Sequence, residues 1–262
     1  MSEREFMEFG GNTTCVLISG VDEGINSVIM DAGTGIRNLG KDISSGKINI
    51  GDKINLGLTH FHWDHIQGFP FFEPAYNSDS IIRISTMRKR EILNLKDIFS
   101  TQMQSIYFPV QLENMGAQME FIKYDTDKLV GEKGALINVV EVKHPGGCIA
   151  IRIEYNNKSV VFCTDLEHQN DIDRKVVDLA LNADLLIHEA QYTDEELQLH
   201  KGWGHSSYTQ AIEVAERANV KMLAITHHDP DHNDEFLRKR EKECQKRFKD
   251  CVLAREKMEI EF

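Results

Sequence analysis

Proline and cysteine are scarce in this 262-residue chain, and it contains no long apolar run. The five prolines form no linker, and no repeat or low-complexity tract interrupts the sequence, so a single domain over residues 1–262 is expected. Cys15, Cys148, Cys163, Cys244 and Cys251 are an odd, widely spaced set without a CxxC pair. That excludes a disulfide scaffold and reads as reduced thiols of a cytoplasmic protein. The longest apolar stretches fall short of the roughly 18 residues a membrane helix needs, and the acidic N-terminus lacks a signal-peptide core. Positive charge is also in deficit, with 30 Lys and Arg against 42 Asp and Glu and a net charge of −12. Extended nucleic acid and anionic membrane are therefore unfavourable partners, because both need clustered cations. A small anionic substrate is not excluded, since bound metal ions reverse the local field.

What remains is ordinary for a globular protein, with 41% apolar and 27% charged residues. Apolar runs at Thr14–Ser19, Ser27–Asp31 and Ile54–Thr59 read as strands between turns at Gly20, Gly24, Gly33, Gly35 and Gly51. From Met87 to Leu112, Ile92, Leu95, Ile98 and Phe99 recur at helical spacing. Strands are expected again at Ala135–Val142, Cys148–Tyr155 and Ser159–Cys163. Helix and strand then alternate: a helix at Ile172–Leu181, a strand at Ala183–His188, a helix at Ser206–Asn219 capped by Ser206 or Ser207, and a strand at Lys221–Thr226. The mixed charges from Asp234 to Glu256 read as one solvated helix. Two sheets with helices outside them follow from this pattern.

The chemistry is concentrated in Thr59-His60-Phe61-His62-Trp63-Asp64-His65, with four metal-ligating side chains in six residues. A solvated polar turn is the alternative reading of that stretch. His60 and His62 follow a strand, and residues two apart in extended chain point the same way, toward one ion. Asp64 and His65 fall where the chain turns and can face a second. Further ligands should come from other strand ends, where His144, Asp165, His188 and His227 each terminate an apolar run.

These residues resemble the metallo-β-lactamase fold superfamily, whose HxHxDH signature is present as His60-Phe-His62-Trp-Asp64-His65. The likeness continues through Asp31-Ala-Gly-Thr-Gly35, His144, Cys163-Thr-Asp165, His188-Glu189 and Thr226-His227. It implies an α/β fold, an αββα sandwich of two mixed β-sheets flanked by helices. It also implies two divalent metal ions. His60, His62 and His144 would hold one and Asp64, His65 and His227 the other, with Asp165 bridging. His228 is the alternative to His227. Zinc suits imidazoles with a few carboxylates, with manganese or iron as alternatives. Asp31 would orient a ligand histidine or satisfy its own glycine turn.

Two divalent ions against two carboxylates leave a positive centre, suited to a phosphodiester monoanion. Around His205 and the His188-Glu189 pair the chain is similar to ribonuclease Z-like phosphodiesterases. By that likeness His205 would protonate the leaving alkoxide, oriented by Glu189 or His188, and its alternative role is helix capping. Ribonuclease Z carries a long basic arm for tRNA between the ligands matching His144 and Asp165. Only 20 residues separate the two here. Gln67-Gly-Phe-Pro-Phe-Phe72 and His144-Pro-Gly-Gly-Cys-Ile149 are similar to small-molecule phosphodiesterases, including cyclic-nucleotide hydrolases of the phage-encoded anti-Pycsar type.

The expectation is a phosphodiesterase for a cyclic mononucleotide, homodimeric as in the resembling families. The alternatives are a phosphoribosyl cyclic-phosphate enzyme, an RNA 3′-end endonuclease and a nucleotide-sequestering protein without turnover. Trp63, Phe69, Phe71, Phe72 and Trp203 are candidates to stack on a base. His168, His200 and His232 are expected at the surface.

Overall fold

The computed structural model describes residues 4–20, 27–89, 94–131 and 134–262. Gly24 and Ile92, used above as turn and helix signals, lie outside the described residues. The chain forms two compact units, Asn12–Thr126 and Met1–Gly11 together with Asp127–Phe262.

The Asn12–Thr126 unit is built on a five-stranded sheet in the order β1 (Val16–Ile18), β2 (Val28–Met30), β3 (Lys53–Gly57), β4 (Ile81–Thr86) and β5 (Gln118–Lys123). The first pair is antiparallel and the other pairs are parallel. Parallel neighbours need crossovers, which here contain α1 (Ile36–Ser44), α2 (Trp63–Ile66) and α3 (Leu95–Gln102). Alternation in β3 and β4 buries Ile54, Leu56, Ile82 and Ile84, which join Phe69, Phe72 and Phe99 in one core cluster. Phe69 and Phe72 are thus packing residues and cannot stack on a substrate. Among the described residues of the expected helical stretch Met87–Leu112, the α-helix is α3, capped by the Asn94 side chain. Neither β4 nor β5 was legible as a separate strand.

The other unit carries seven strands in the order β12 (Cys251–Leu253), β11 (Met222–Thr226), β10 (Leu185–Glu189), β9 (Lys158–Cys163), β8 (Cys148–Tyr155), β7 (Leu136–Val142) and β6 (Lys128–Val130). From β6 to β9 the pairs are antiparallel, and from β9 to β12 they are parallel. Helices α4 (Arg174–Ala180), α5 (Asp194–Leu199), α6 (Tyr208–Arg217) and α7 (Asp234–Arg247) follow in chain order. Ser207, not Ser206, caps α6 in a reciprocal capping box with Gln210. The expected tail helix stops at Arg247, and Cys251–Leu253 instead pairs with β11. Both units are mixed sheets flanked by helices.

Register positions the chemistry. Because β7 and β9 are each antiparallel to β8, their C-terminal ends share one sheet edge with those of β10 and β11. His144, Asp165, Glu189 and His227 all emerge there, as ligand-binding residues do in open α/β sheets. Between β8 and β9 the chain reverses through Asn156 and Asn157 alone, at φ 49° and 61°, the two-residue turn that tolerates left-handed backbone. Among the described residues no helix is long and apolar enough to cross a membrane, and all five cysteines are free thiols.

Candidate metal centre

In the Asn12–Thr126 unit, β2 and β3 run parallel and deliver Asp31 and Thr59-His60 to the same edge. Asp31 is fully buried with φ at 60°, a strained conformation for a residue with a Cβ. Its Oδ1 accepts the Thr59 N–H at 2.8 Å, and its Oδ2 accepts the Thr59 hydroxyl at 2.8 Å. Oδ2 also faces His65 Nδ1 at 2.9 Å. Because the Thr59 hydroxyl proton goes to Asp31, its oxygen is left to accept from His60 Nδ1, 3.1 Å away. One carboxylate thereby places the ring protons of His60 and His65 on Nδ1 and turns both Nε2 lone pairs outward.

His60 and His65 are buried, their ring centroids 4.1 Å apart, and exposed His62 stands edge-on to His60 at 4.7 Å. His62 occupies the extended position preceding α2. Asp64 in the first turn of α2 brings Oδ2 to 3.1 Å from His65 Nε2. The four side chains of the motif are therefore gathered at the β3–α2 junction.

The other unit gathers the later set. Asp165, with φ at 39°, and His227, with φ at 59°, each sit on left-handed backbone just past a strand. Asp165 aims Oδ2 at His144 Nε2, 3.6 Å away, and Oδ1 at His227 Nε2, 3.4 Å away. The Thr164 hydroxyl donates to Oδ1 at 2.6 Å and fixes the carboxylate. His144 Nδ1 donates to the Gly204 carbonyl at 2.8 Å, leaving Nε2 as the lone pair. His228 points elsewhere: its Nε2 donates to the Ala254 carbonyl at 3.1 Å, and its ring meets Phe9 edge-on. Burial, more than any other cause, lowers its pKa to about 4.

These spacings fit a divalent cation. Two ligand atoms about 2.1 Å from one ion at a tetrahedral angle lie about 3.4 Å apart. The Asp165 oxygens stand at that separation from His144 and His227 Nε2, beyond good hydrogen-bond length. With one oxygen toward each ring, Asp165 has the disposition of a bridging carboxylate. Cys163, immediately before this turn, does not supply a thiolate: burial, then the Glu189 charge, holds its pKa well above the ordinary thiol value.

His205 lies against the rings of both histidines, 5.1 Å from His227 and 5.4 Å from His144 between centroids. The nearest carboxylate is that of fully buried Glu189, with Oε1 3.6 Å from His205 Nδ1. Glu189 is locked by backbone donors: Oε1 accepts from Ser206 and Leu166, and Oε2 from Gln191. His188 is turned away. Its Nδ1 donates to the Glu189 carbonyl, and its ring stacks on His168 at 5.7 Å. His188 is thus neither joined to Asp165 nor the orienting partner of His205.

Three histidines expected at the surface are not there. His168 and His232 are buried and His200 is half-buried. His168 stacks on His188, His200 on Tyr192, and His232 on Phe236 while bonding Glu196. Of the aromatic candidates, Trp63, Phe71 and Trp203 remain exposed. Sequence reasoning missed Thr59 and the Gly204 carbonyl as orienting groups, because neither carries a local signal of a contact made across the fold.

A family model described as a beta-lactamase superfamily domain matches residues 26–228. The chain belongs to the metallo-β-lactamase superfamily. Two groups of its His and Asp side chains, His60, His62, His144 and Asp165 and then Asp64, His65, Asp165 and His227, could each hold a metal ion. Ribonuclease Z of Brevibacillus brevis is 38% identical over 78 residues, 30% of this chain and 23% of that protein. This chain thus spans only about a quarter of that relative's length in the alignment. Ribonuclease Z of Listeria monocytogenes is 24% identical over 278 aligned positions, covering 87% of this chain and 88% of that one. Among solved structures, the metallo-beta-lactamase fold protein YhfI of Bacillus subtilis superposes with a TM-score of 0.68 at 22% identity, over 96% of this chain and 92% of the other. The superfamily fold read from the HxHxDH pattern is borne out.

Proposed function

We propose that this chain is a metal-dependent phosphodiesterase that uses two divalent ions, zinc or else manganese, on a small nucleotide, a cyclic mononucleotide first. His60, His62 and His144 would hold one ion and Asp64, His65 and His227 the other, with Asp165 shared. The observation that carries the reading is the Asp165 carboxylate, one oxygen directed at His144 Nε2 and the other at His227 Nε2. When bound, the ions would supply a nucleophile at neutral pH and neutralise charge on the phosphoryl oxygens.

The rest of the reaction belongs to the chain itself. Asp31 and Thr59 hold the ring protons of His65 and His60 at Nδ1, so that these histidines act as neutral ligands. His205, beside both His144 and His227, is the group able to deliver a proton to a leaving alkoxide. Glu189 Oε1 favours a ring proton at Nδ1, so the proton that His205 would deliver is the one on Nε2; the 3.6 Å gap is of the kind that tightens when substrate binds.

Substrate size is argued from the β8–β9 hairpin. By the resemblance, ribonuclease Z carries its tRNA arm between the positions matching His144 and Asp165; here that interval holds a two-residue turn at Asn156-Asn157, and the net charge is −12. Both support a small substrate. The second reading, RNA 3′-end processing, is favoured by the likeness to Listeria monocytogenes ribonuclease Z over 87% of the chain. One panel separates them. Protein reconstituted with zinc or manganese is assayed on 3′,5′-cyclic mononucleotides, phosphoribosyl cyclic phosphates and a precursor tRNA. Turnover of cyclic mononucleotides with intact precursor supports the first reading. Precursor cleavage with intact cyclic nucleotides replaces it with the second.

A further inference from the structure

His144 owes its orientation to a loop that has little reason to hold still. Residues 201–204 contain two glycines on left-handed backbone, Gly202 at φ 87° and Gly204 at φ 94°. Gly204 abuts the ligand: a Cβ there would lie 2.3 Å from His144 Nδ1 and 2.3 Å from Pro145 Cδ. Only glycine fits, and glycine is the residue with the most conformational freedom to lose. Yet the Gly204 carbonyl must stay 2.8 Å from His144 Nδ1 if that nitrogen is to keep its proton.

Beside the packing of Trp203 against the His200 ring, the Glu167 carboxylate fastens this loop. Glu167 Oε2 accepts the Gly202 N–H at 2.8 Å and the Gly204 N–H at 3.0 Å, so it grips the amides of the two glycines that flank Trp203. Glu167 is itself tied to the ligand strand, because its own N–H donates to the carbonyl of Lys143 at 2.8 Å. The path is closed and short: Lys143 carbonyl, Glu167, the Gly204 amide, the Gly204 carbonyl, His144 Nδ1.

We propose that Glu167 is a positioning residue for the metal centre, holding the Gly204 carbonyl in place and thereby presenting His144 Nε2 as a neutral ligand. The proposal rests on the reading of His144 as a metal ligand. Glu167 touches neither substrate nor ion in this scheme; it acts through the loop. Removing an outer partner of a ligating histidine costs about 10–100-fold in metal affinity, and only the ion that uses His144 should feel it.

The test is zinc binding by the full-length chain in competition with a chromophoric chelator, repeated with cobalt(II) to read the ligand-field spectrum. Glu167→Ala should weaken one of the two binding events about 10–100-fold, leave the other unchanged, and alter the cobalt spectrum. Glu167→Gln keeps one oxygen able to accept both N–H groups and should restore the wild-type isotherm to within a few-fold. His144→Ala serves as the reference and should abolish the same event. If Glu167→Ala does not fold, judged by circular dichroism, Glu167→Asp replaces it, since its carboxylate is one methylene short of the loop and should weaken the same event. Wild-type affinity at both events in the Glu167 variant, with one event lost in His144→Ala, overturns the proposal. Two intact events in His144→Ala overturn instead the assignment of His144.

Discussion

Asp31 Oδ2 and His65 Nδ1 are 2.9 Å apart, both fully buried, at the end of β2 and in α2 respectively. Through Thr59 the same carboxylate reaches His60, so one strained residue governs two ring tautomers. Asp31→Asn should therefore disturb both. The amide presents donors where acceptors are required, and metal affinity should fall about 10–100-fold while circular dichroism stays native. Chelator competition measures it. Unchanged affinity would mean that Asp31 merely satisfies its turn.

How much of this was legible follows from where each signal resides. His60, His62, Asp64 and His65 form a local pattern that needs no tertiary knowledge, and strand-end polar residues pointed to His144, Asp165 and His227. The choice between His227 and His228 required the fold, because both follow β11 and only the left-handed turn at His227 selects the one that faces Asp165. β12 was read as helix because three residues after a charged helical run carry almost no strand signal; pairing with β11 decides it. β4 did alternate, with Ile82, Ile84 and Thr86 buried, but its parallel partners are distant in sequence. His168 and His232 carry no local sign of burial because partners distant in sequence cover or bond them, His188 for the one and Glu196 for the other.

The pair His227 and His228 yields a second prediction. His227→Ala should remove one of two bound zinc ions, read by metal analysis after dialysis. His228→Ala should keep both and lose about 1–2 kcal/mol of stability, from its Ala254 hydrogen bond and its contact with Phe9. Loss of an ion from the His228 variant with full occupancy in the His227 variant would reverse the assignment.

His205 is separable from the ligands. It contacts the rings of His144 and His227 without being placed among the ligands. His205→Ala should lower kcat on the accepted phosphodiester about 10²–10⁴-fold with the metal content unchanged. A substrate whose leaving group needs no proton, such as a p-nitrophenyl phosphodiester, should lose far less. Equal losses on both substrates would point to a structural role for His205.

Buried His168 makes stability depend on pH in a definite direction. Burial first, and then the charges of His188 and Arg217, push its pKa from 6.5 down to about 3. Its Nδ1 accepts the Asp173 N–H at the start of α4, so the neutral ring is the form the fold requires. An unfolded chain takes up a proton at this residue below about pH 6.5, whereas the folded chain resists until far lower. The stability due to the neutral ring is therefore complete above that value and is lost as pH falls from there toward 3. Between pH 6.5 and 4.5 the loss should reach about 2–3 kcal/mol. Urea unfolding of metal-free wild type and His168→Gln at both pH values isolates it, because protonation of the ligand histidines is common to the two proteins. The wild type should lose more stability than the variant by that margin. Parallel losses would show that His168 is protonated in the folded chain at pH 4.5, and that its stacking on His188 does not require a neutral ring.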